Sequence, residues 1–115
     1  IYEKGDFEMC VWAIISMIPD ADYTVYSRFH SKMFSGGNNF MRATIPGMDE
    51  LLEKSRISES KKERLALYNT ISEMVRDRAV MIPLYSGMNT ICANAKLKGI
   101  AADAVQKYYV FDYSW

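Results

Sequence analysis

The sequence predicts an α/β fold: a mixed sheet with flanking helices. Three observations predict it. Apolar runs rich in β-branched and aromatic residues stand at residues 7–15 and 80–85. Between them lie segments whose apolar residues recur at helical spacing. The tail at 108–115 alternates, with Tyr109, Phe111, Tyr113 and Trp115 on one face of a strand. Strands buried on both faces read as near-continuous apolar runs, and surface helices as stripes with a 3.6-residue period. A chain that mixes the two is expected to pack helices on a sheet.

Residues 1–6 read as the end of an exposed helix or loop, punctuated by Gly5-Asp6. Residues 7–15, FEMCVWAII, are nearly all apolar after Glu8, which suits a central strand. Residues 16–22 form an irregular loop with the Pro19-Asp20 pair. In it, Asp20 or Asp22 can accept hydrogen bonds from the free N–H groups of a following helix. Tyr23, Tyr26 and Phe29-His30 then recur at helical spacing. Ser-Gly-Gly-Asn-Asn at 35–39 reads as a flexible polar loop, and Pro46-Gly47 as a turn.

Residues 48–56 predict an amphipathic helix. Met48, Leu51 and Leu52 share one face; Asp49, Glu50, Glu53 and Lys54 share the other. Ser60-Lys61-Lys62-Glu63 matches a capping box, in which Ser60 caps the Glu63 amide and Glu63 reaches back to Ser60. A long helix follows, striped by Leu65, Leu67, Tyr68, Ile71, Met74, Val75 and Ala79. Residues 80–85, VMIPLY, read as a strand in which Pro83 demands an edge, a bulge or a crossover, because proline cannot donate to a ladder. After Ser86-Gly87, residues 89–94 make a second short strand, 96–99 a turn and 100–105 a small-residue loop.

The 115 residues suffice for one domain or a piece of one, and half of them are hydrophobic, which supports a core and argues against disorder. Lysine plus arginine equals aspartate plus glutamate at 14 each, so bulk charge favours neither nucleic acid nor an anionic membrane. No apolar run approaches the length of a membrane span. The chain opens at Ile1 within what reads as structure, so it is expected to be a piece of something longer, and the lack of a targeting segment does not set its location. Cys10 and Cys92 both sit in apolar runs and read as buried free thiols before they read as a disulfide.

Motifs for enzyme chemistry are sparse. The sequence has one histidine, His30, and no H-E-x-x-H, C-x-x-C or G-x-S-x-G, so no metal site, cofactor or catalytic residue is expected. Cys10 and His30 could form a nucleophile pair, but a mid-strand thiol beside Met9 and Val11 is usually inert. Asp20-Ala21-Asp22 could hold a divalent cation, yet two carboxylates are too few alone and helix capping accounts for at least one. Residues 35–39 could cradle an anion in a nest of amides, against a plain solvated loop. Trp12 could stack on a ligand or belong to the core.

Several blocks fall in a recognisable order: GDFEMCVW, DADYTVYSRFHS, Gly37-Asn38, MDELLEKSR, KKERLALYNTISEMVRDRAVMIPLY and YYVFDYSW. In this order the chain resembles the C-terminal part of the extracytoplasmic solute-binding proteins of ABC importers, of the peptide/nickel (family 5, oligopeptide-binding) class. The resemblance implies part of the second lobe of a two-lobed, class II periplasmic-binding-protein-like fold. It places residues 1–98 in that lobe and 99–115 in a tail strand returning to a first lobe that is missing here. The implied function is binding of a peptide or other small solute for uptake, without catalysis. The implied partners are the solute in the full-length cleft and the membrane permease subunits, and the implied location is extracytoplasmic, in the periplasm or as a lipoprotein. The exposed tail strand could also pair two chains as a dimer. The same lobe fused to a DNA-binding domain would instead be the ligand-sensing module of a transcription regulator.

Peptide-binding members follow the strand Trp with small residues and then an Asp that pairs with the ligand's ammonium. The Trp is matched by Trp12, but ungapped counting puts Ile15 at the Asp position. That departure removes a counter-ion, and a buried ammonium without one is costly. Ligand contact is therefore expected through Trp12 and the backbone of Ala13, Ile14, Ile15 and Ser16.

Overall fold

The computed structural model describes residues 4–35, 37–88, 90–101 and 113–114. Its ordered centre is helical: α1 spans Ala21–Phe29, α2 Met48–Ile57 and α3 Lys61–Asp77, with a single 3-10 turn at Ser31–Phe34. Helix α2 lies between the other two and packs against both.

Each helix begins and ends for a local reason. Asp20 is extended and its carboxylate accepts the Asp22 amide at 2.8 Å, capping α1. The chain turns extended again at His30, whose amide donates to Tyr26 O at 3.0 Å. Gly47 precedes α2 with φ 80°, in the left-handed region where a side chain is costly. Asp49 and Glu50 in the first turn of α2, and Lys54 and Arg56 in the last, complement the helix dipole. Ser60 Oγ accepts the Glu63 amide at 3.3 Å and starts α3 as the sequence predicts. The Glu63 carboxylate bonds Ser58 Oγ at 2.7 Å and lies 3.4 Å from Lys54 Nζ, so it ties α3 to the end of α2. Past α3, Ala79 sits at φ 49°, the left-handed position that closes helix ends and usually holds glycine.

The core is the seam of these helices. Met48 and Leu52 of α2 meet Ile71 and Val75 of α3, while Tyr26 and Phe29 of α1 close the other side. Ser55 is fully buried on α2 and satisfies its hydroxyl on Leu52 O at 2.8 Å. The predicted stripe of α3 is followed through Leu67, Ile71 and Val75, with Tyr68 and Met74 half-buried. Its ends depart: Leu65 is 62% exposed, and Ala79 lies beyond the helix. The predicted polar loop at 35–39 is not simply solvated. Asn39 is fully buried, and its side-chain amide donates to His30 O at 3.2 Å.

The mixed α/β sheet is not formed. Among the described residues there is no strand, only an isolated antiparallel bridge between Lys98 and Ser114. Residues 7–15 run irregularly along the outside, with Met9 84% and Val11 82% exposed. Val80 and Met81 pack on the helical core, but Ile82, Leu84 and Tyr85 stand in solvent. The physical reason is pairing. A helix satisfies its backbone within itself, whereas an apolar run becomes a strand only beside another strand. Cys10 and Cys92 are free, as expected, but exposed because the segments carrying them are. The predicted tail strand at 108–115 lies outside the described residues except for Tyr113 and Ser114. No described helix is long and apolar enough to cross a membrane.

Candidate functional site

The five residues expected to contact ligand lie together on the extended segment before α1. Trp12 is about half-exposed and packs edge-on against Phe40, with ring centroids 5.8 Å apart. Ala13, Ile14 and Ile15 are exposed, and Ser16 is half-buried with its hydroxyl donating to Ile18 O. Trp12 is therefore neither deep core nor fully free: it rests on Phe40 and leaves part of its ring open.

A different group of residues lines a shallow, open groove. Ile18, Asp20, Asp22, Tyr23, Tyr26, Ser27 and Met33 line it together with Arg56 and Arg64, around a volume of about 710 Å³. The N-terminus of α1 supplies one wall and the charged ends of α2 and α3 the other. Two ion pairs cross it. Arg64 Nη2 donates to Asp20 Oδ1 at 3.2 Å. Arg56 Nε lies 3.0 Å from Asp22 Oδ1 and 3.1 Å from Oδ2, with its hydrogen directed at Oδ2. The other oxygen, Oδ1, is buried and is left without a directed hydrogen bond. Arg64 Nε is likewise buried with no acceptor. The Arg56 guanidinium lies over the Tyr26 ring at 3.8 Å, a cation–π contact. The Asp22 amide and the Arg64 guanidinium hold the Asp20 carboxyl below its usual range despite some opposing burial.

Beside the groove, a polar cluster surrounds one buried side chain, His30. His30 is 2% exposed. The Lys32 amide donates to its Nδ1 at 3.1 Å, which places the imidazole proton on Nε2. That Nε2–H donates to Glu53 Oε1 at 3.1 Å, the same oxygen that accepts from Tyr26 O–H at 3.1 Å and Lys32 Nζ at 3.3 Å. Three donors on one carboxylate, led by Lys32, lower the Glu53 pKa. Burial, reinforced by Glu53, raises that of Tyr26. Asp49 accepts the Ser31 amide at 3.0 Å and the Ser31 hydroxyl at 2.5 Å. Burial pushes the Asp49 carboxyl up, but the two Ser31 bonds, with His30 and Lys32, bring it below its usual value. With both ring nitrogens engaged, His30 offers neither to Cys10. The cluster instead pins the end of α1 onto α2. Among the described residues, no three His, Cys, Asp or Glu side chains are grouped to hold a metal ion.

The sequence offers Asp20 or Asp22 as the cap of α1, and the structure gives that role to Asp20; it does not signal the arginines paired with the two carboxylates, which lie 44 and 34 residues away. No local spacing signals such pairs. The periodicity of α1 did mark Tyr26 and His30, but not their shared partner Glu53, which the sequence assigns to the outer face of α2.

Over 65 residues the chain is 28% identical to the "Probable di/tripeptide-binding protein 5" of Pseudomonas aeruginosa (strain UCBPP-PA14). That match covers 56% of this chain and 12% of the relative, so the chain spans a small part of the relative's length. No family model matches the chain, and no solved structure does.

Proposed function

We propose that the chain is a C-terminal portion of a peptide/nickel-class solute-binding protein of an ABC importer, acting by binding and not by catalysis. The observation that carries this reading is the 65-residue similarity to a probable di/tripeptide-binding protein. The order of blocks along the sequence, from GDFEMCVW to YYVFDYSW, is consistent with it. In this reading the solute is a peptide or peptide-like molecule, the partners are membrane permease subunits, and the protein works outside the cytoplasm. The half-open ring of Trp12 and the exposed backbone of Ala13 to Ile15 are suited to stacking and main-chain hydrogen bonding with a solute.

Native mass spectrometry of the full-length protein purified from its host tests this function. A non-covalent adduct of peptide-like mass that is lost on unfolding is the expected result. A solute-free protein that co-purifies with DNA would contradict it and favour a regulatory module.

A further inference from the structure

The one histidine of the chain stands at a junction. His30 ends α1, begins the 3-10 turn Ser31–Phe34, and buries its ring against α2. The neutral ring fastens the turn: Nδ1 accepts the Lys32 amide at 3.1 Å, while Nε2–H donates to Glu53 Oε1 at 3.1 Å. A second carboxylate is at hand at the first of these nitrogens, with Asp49 Oδ1 3.6 Å from Nδ1. A proton on Nδ1 reverses these relations. It takes up the lone pair that holds the Lys32 amide, makes Nδ1 a donor, and charges a ring that Asp49 and Glu53 both face. We propose that His30 is a pH-operated latch: neutral, it holds the turn Ser31–Phe34 to the end of α1; protonated, it passes from the Lys32 amide to Asp49 and lets the turn go.

The surroundings supply partners for the charge. Against burial in the case of Asp49, the donors around both carboxyls hold them below their ordinary values, so both are ionised where an imidazole titrates. The Tyr26 ring lies 4.4 Å from the imidazole, centroid to centroid, and offers a π face. The ring also sits at the C-terminus of α1, where the helix dipole favours a cation. Burial opposes the charge, as do two cations. Lys32 Nζ, mostly exposed, shares the Glu53 oxygen, and Arg56 lies over Tyr26 but is itself paired with Asp22. The loop at 35–39 contributes only the neutral amide of Asn39, on the His30 carbonyl. Release of the turn reaches beyond the ring. The turn carries Met33, which packs on the helical core and lines the groove. Met33 O accepts the Asn39 amide at 3.2 Å, and His30 O accepts the Met33 amide at 3.0 Å. A shift of the turn therefore moves Met33 and the buried Asn39 together.

Heteronuclear NMR of the full chain between about pH 8 and pH 5 tests the latch. At the upper limit, a 15N–15N coupling across the hydrogen bond should join the Lys32 amide to His30 Nδ1. The expected result is loss of that coupling as Nδ1 gains its proton, with the Lys32, Met33 and Asn39 amides shifting at the same midpoint. The circular dichroism of the helices should be retained throughout. Asp49→Asn should move the midpoint to lower pH, and His30→Gln should abolish the coupled shifts. A coupling that persists to the lower limit overturns the proposal. So does a ring that protonates without moving the three amides, or a midpoint unchanged in Asp49→Asn. Loss of helical circular dichroism at the same midpoint also overturns it, because His30 would then report global unfolding. Should His30→Gln fail to fold, the titration of the unsubstituted chain decides alone.

Discussion

The helical unit and the extended arms on either side of it are both rich in large apolar side chains, yet they meet opposite fates. Met48, Leu52 and Ile71 are almost completely buried, while Met9, Val11, Leu84 and Tyr85 are each more than two-thirds exposed. Hydrophobicity does not separate the two sets; arrangement does. In α2 and α3 the apolar residues recur along one stripe, and each helix satisfies its own backbone, so two or three helices suffice to close a core. In the arms the apolar residues run consecutively. Such a run is covered only between two layers and beside other strands, which the described residues do not provide. The arms therefore leave large apolar side chains in solvent.

Substitutions break this comparison most sharply. Leu52→Ala or Ile71→Ala should destabilise the helical unit by about 2–5 kcal/mol, because each removes a fully enclosed side chain. Ile82→Ala or Leu84→Ala should change stability by less than about 0.5 kcal/mol, as exposed positions do. Urea denaturation followed by circular dichroism measures both. An arm substitution that costs as much as Leu52→Ala would show that the arm is packed.

The helix ends give intermediate effects of opposite sign. Ser60→Ala should cost about 1 kcal/mol by leaving the Glu63 amide uncapped. Ala79→Gly should gain roughly 1 kcal/mol, since Ala79 occupies a left-handed conformation that glycine adopts freely. Midpoint shifts in thermal unfolding, in opposite directions, test the pair.

The smallest expected effect is on pH dependence. The folded-state pKa of Asp20 is depressed, by the Asp22 amide first and Arg64 after it, below its ordinary value of 3.8. A depressed acid contributes stability that is present above its unfolded pKa and is lost as pH falls through its folded pKa. Stability should thus decline as the pH drops below about 4. Asp20→Asn should flatten that acid limb slightly, which urea midpoints between neutral and acid pH would show. An unchanged slope would mean that the capping carboxylate titrates alike in both states.

What could be read from the sequence divides along the same line. Helices α2 and α3 were legible because period, cap and turn agreed locally: Pro46-Gly47 before Met48, Ser60 before Lys61. Helix α1 was legible from Asp20 and from the recurrence of Tyr23, Tyr26 and Phe29. The sheet was misread because β-branched and aromatic content reports what a segment would do beside a partner, not whether one is present. Asn39 was misread because its burial depends on a long-range contact, the His30 carbonyl. The groove could not be read either. Its Asp–Arg pairs join residues far apart in the chain, and only the packing of α1 on α2 and α3 brings them together.

Amide hydrogen exchange along the chain tests most directly the claim that the helical unit is the ordered core and that the arms lie outside it. Slow exchange is predicted for interior amides of α2 and α3, such as Leu52, Ser55, Ile71 and Val75, with exchange near unstructured rates across residues 7–18 and 82–88. Protection across residues 7–15 equal to that of α3 would contradict the account.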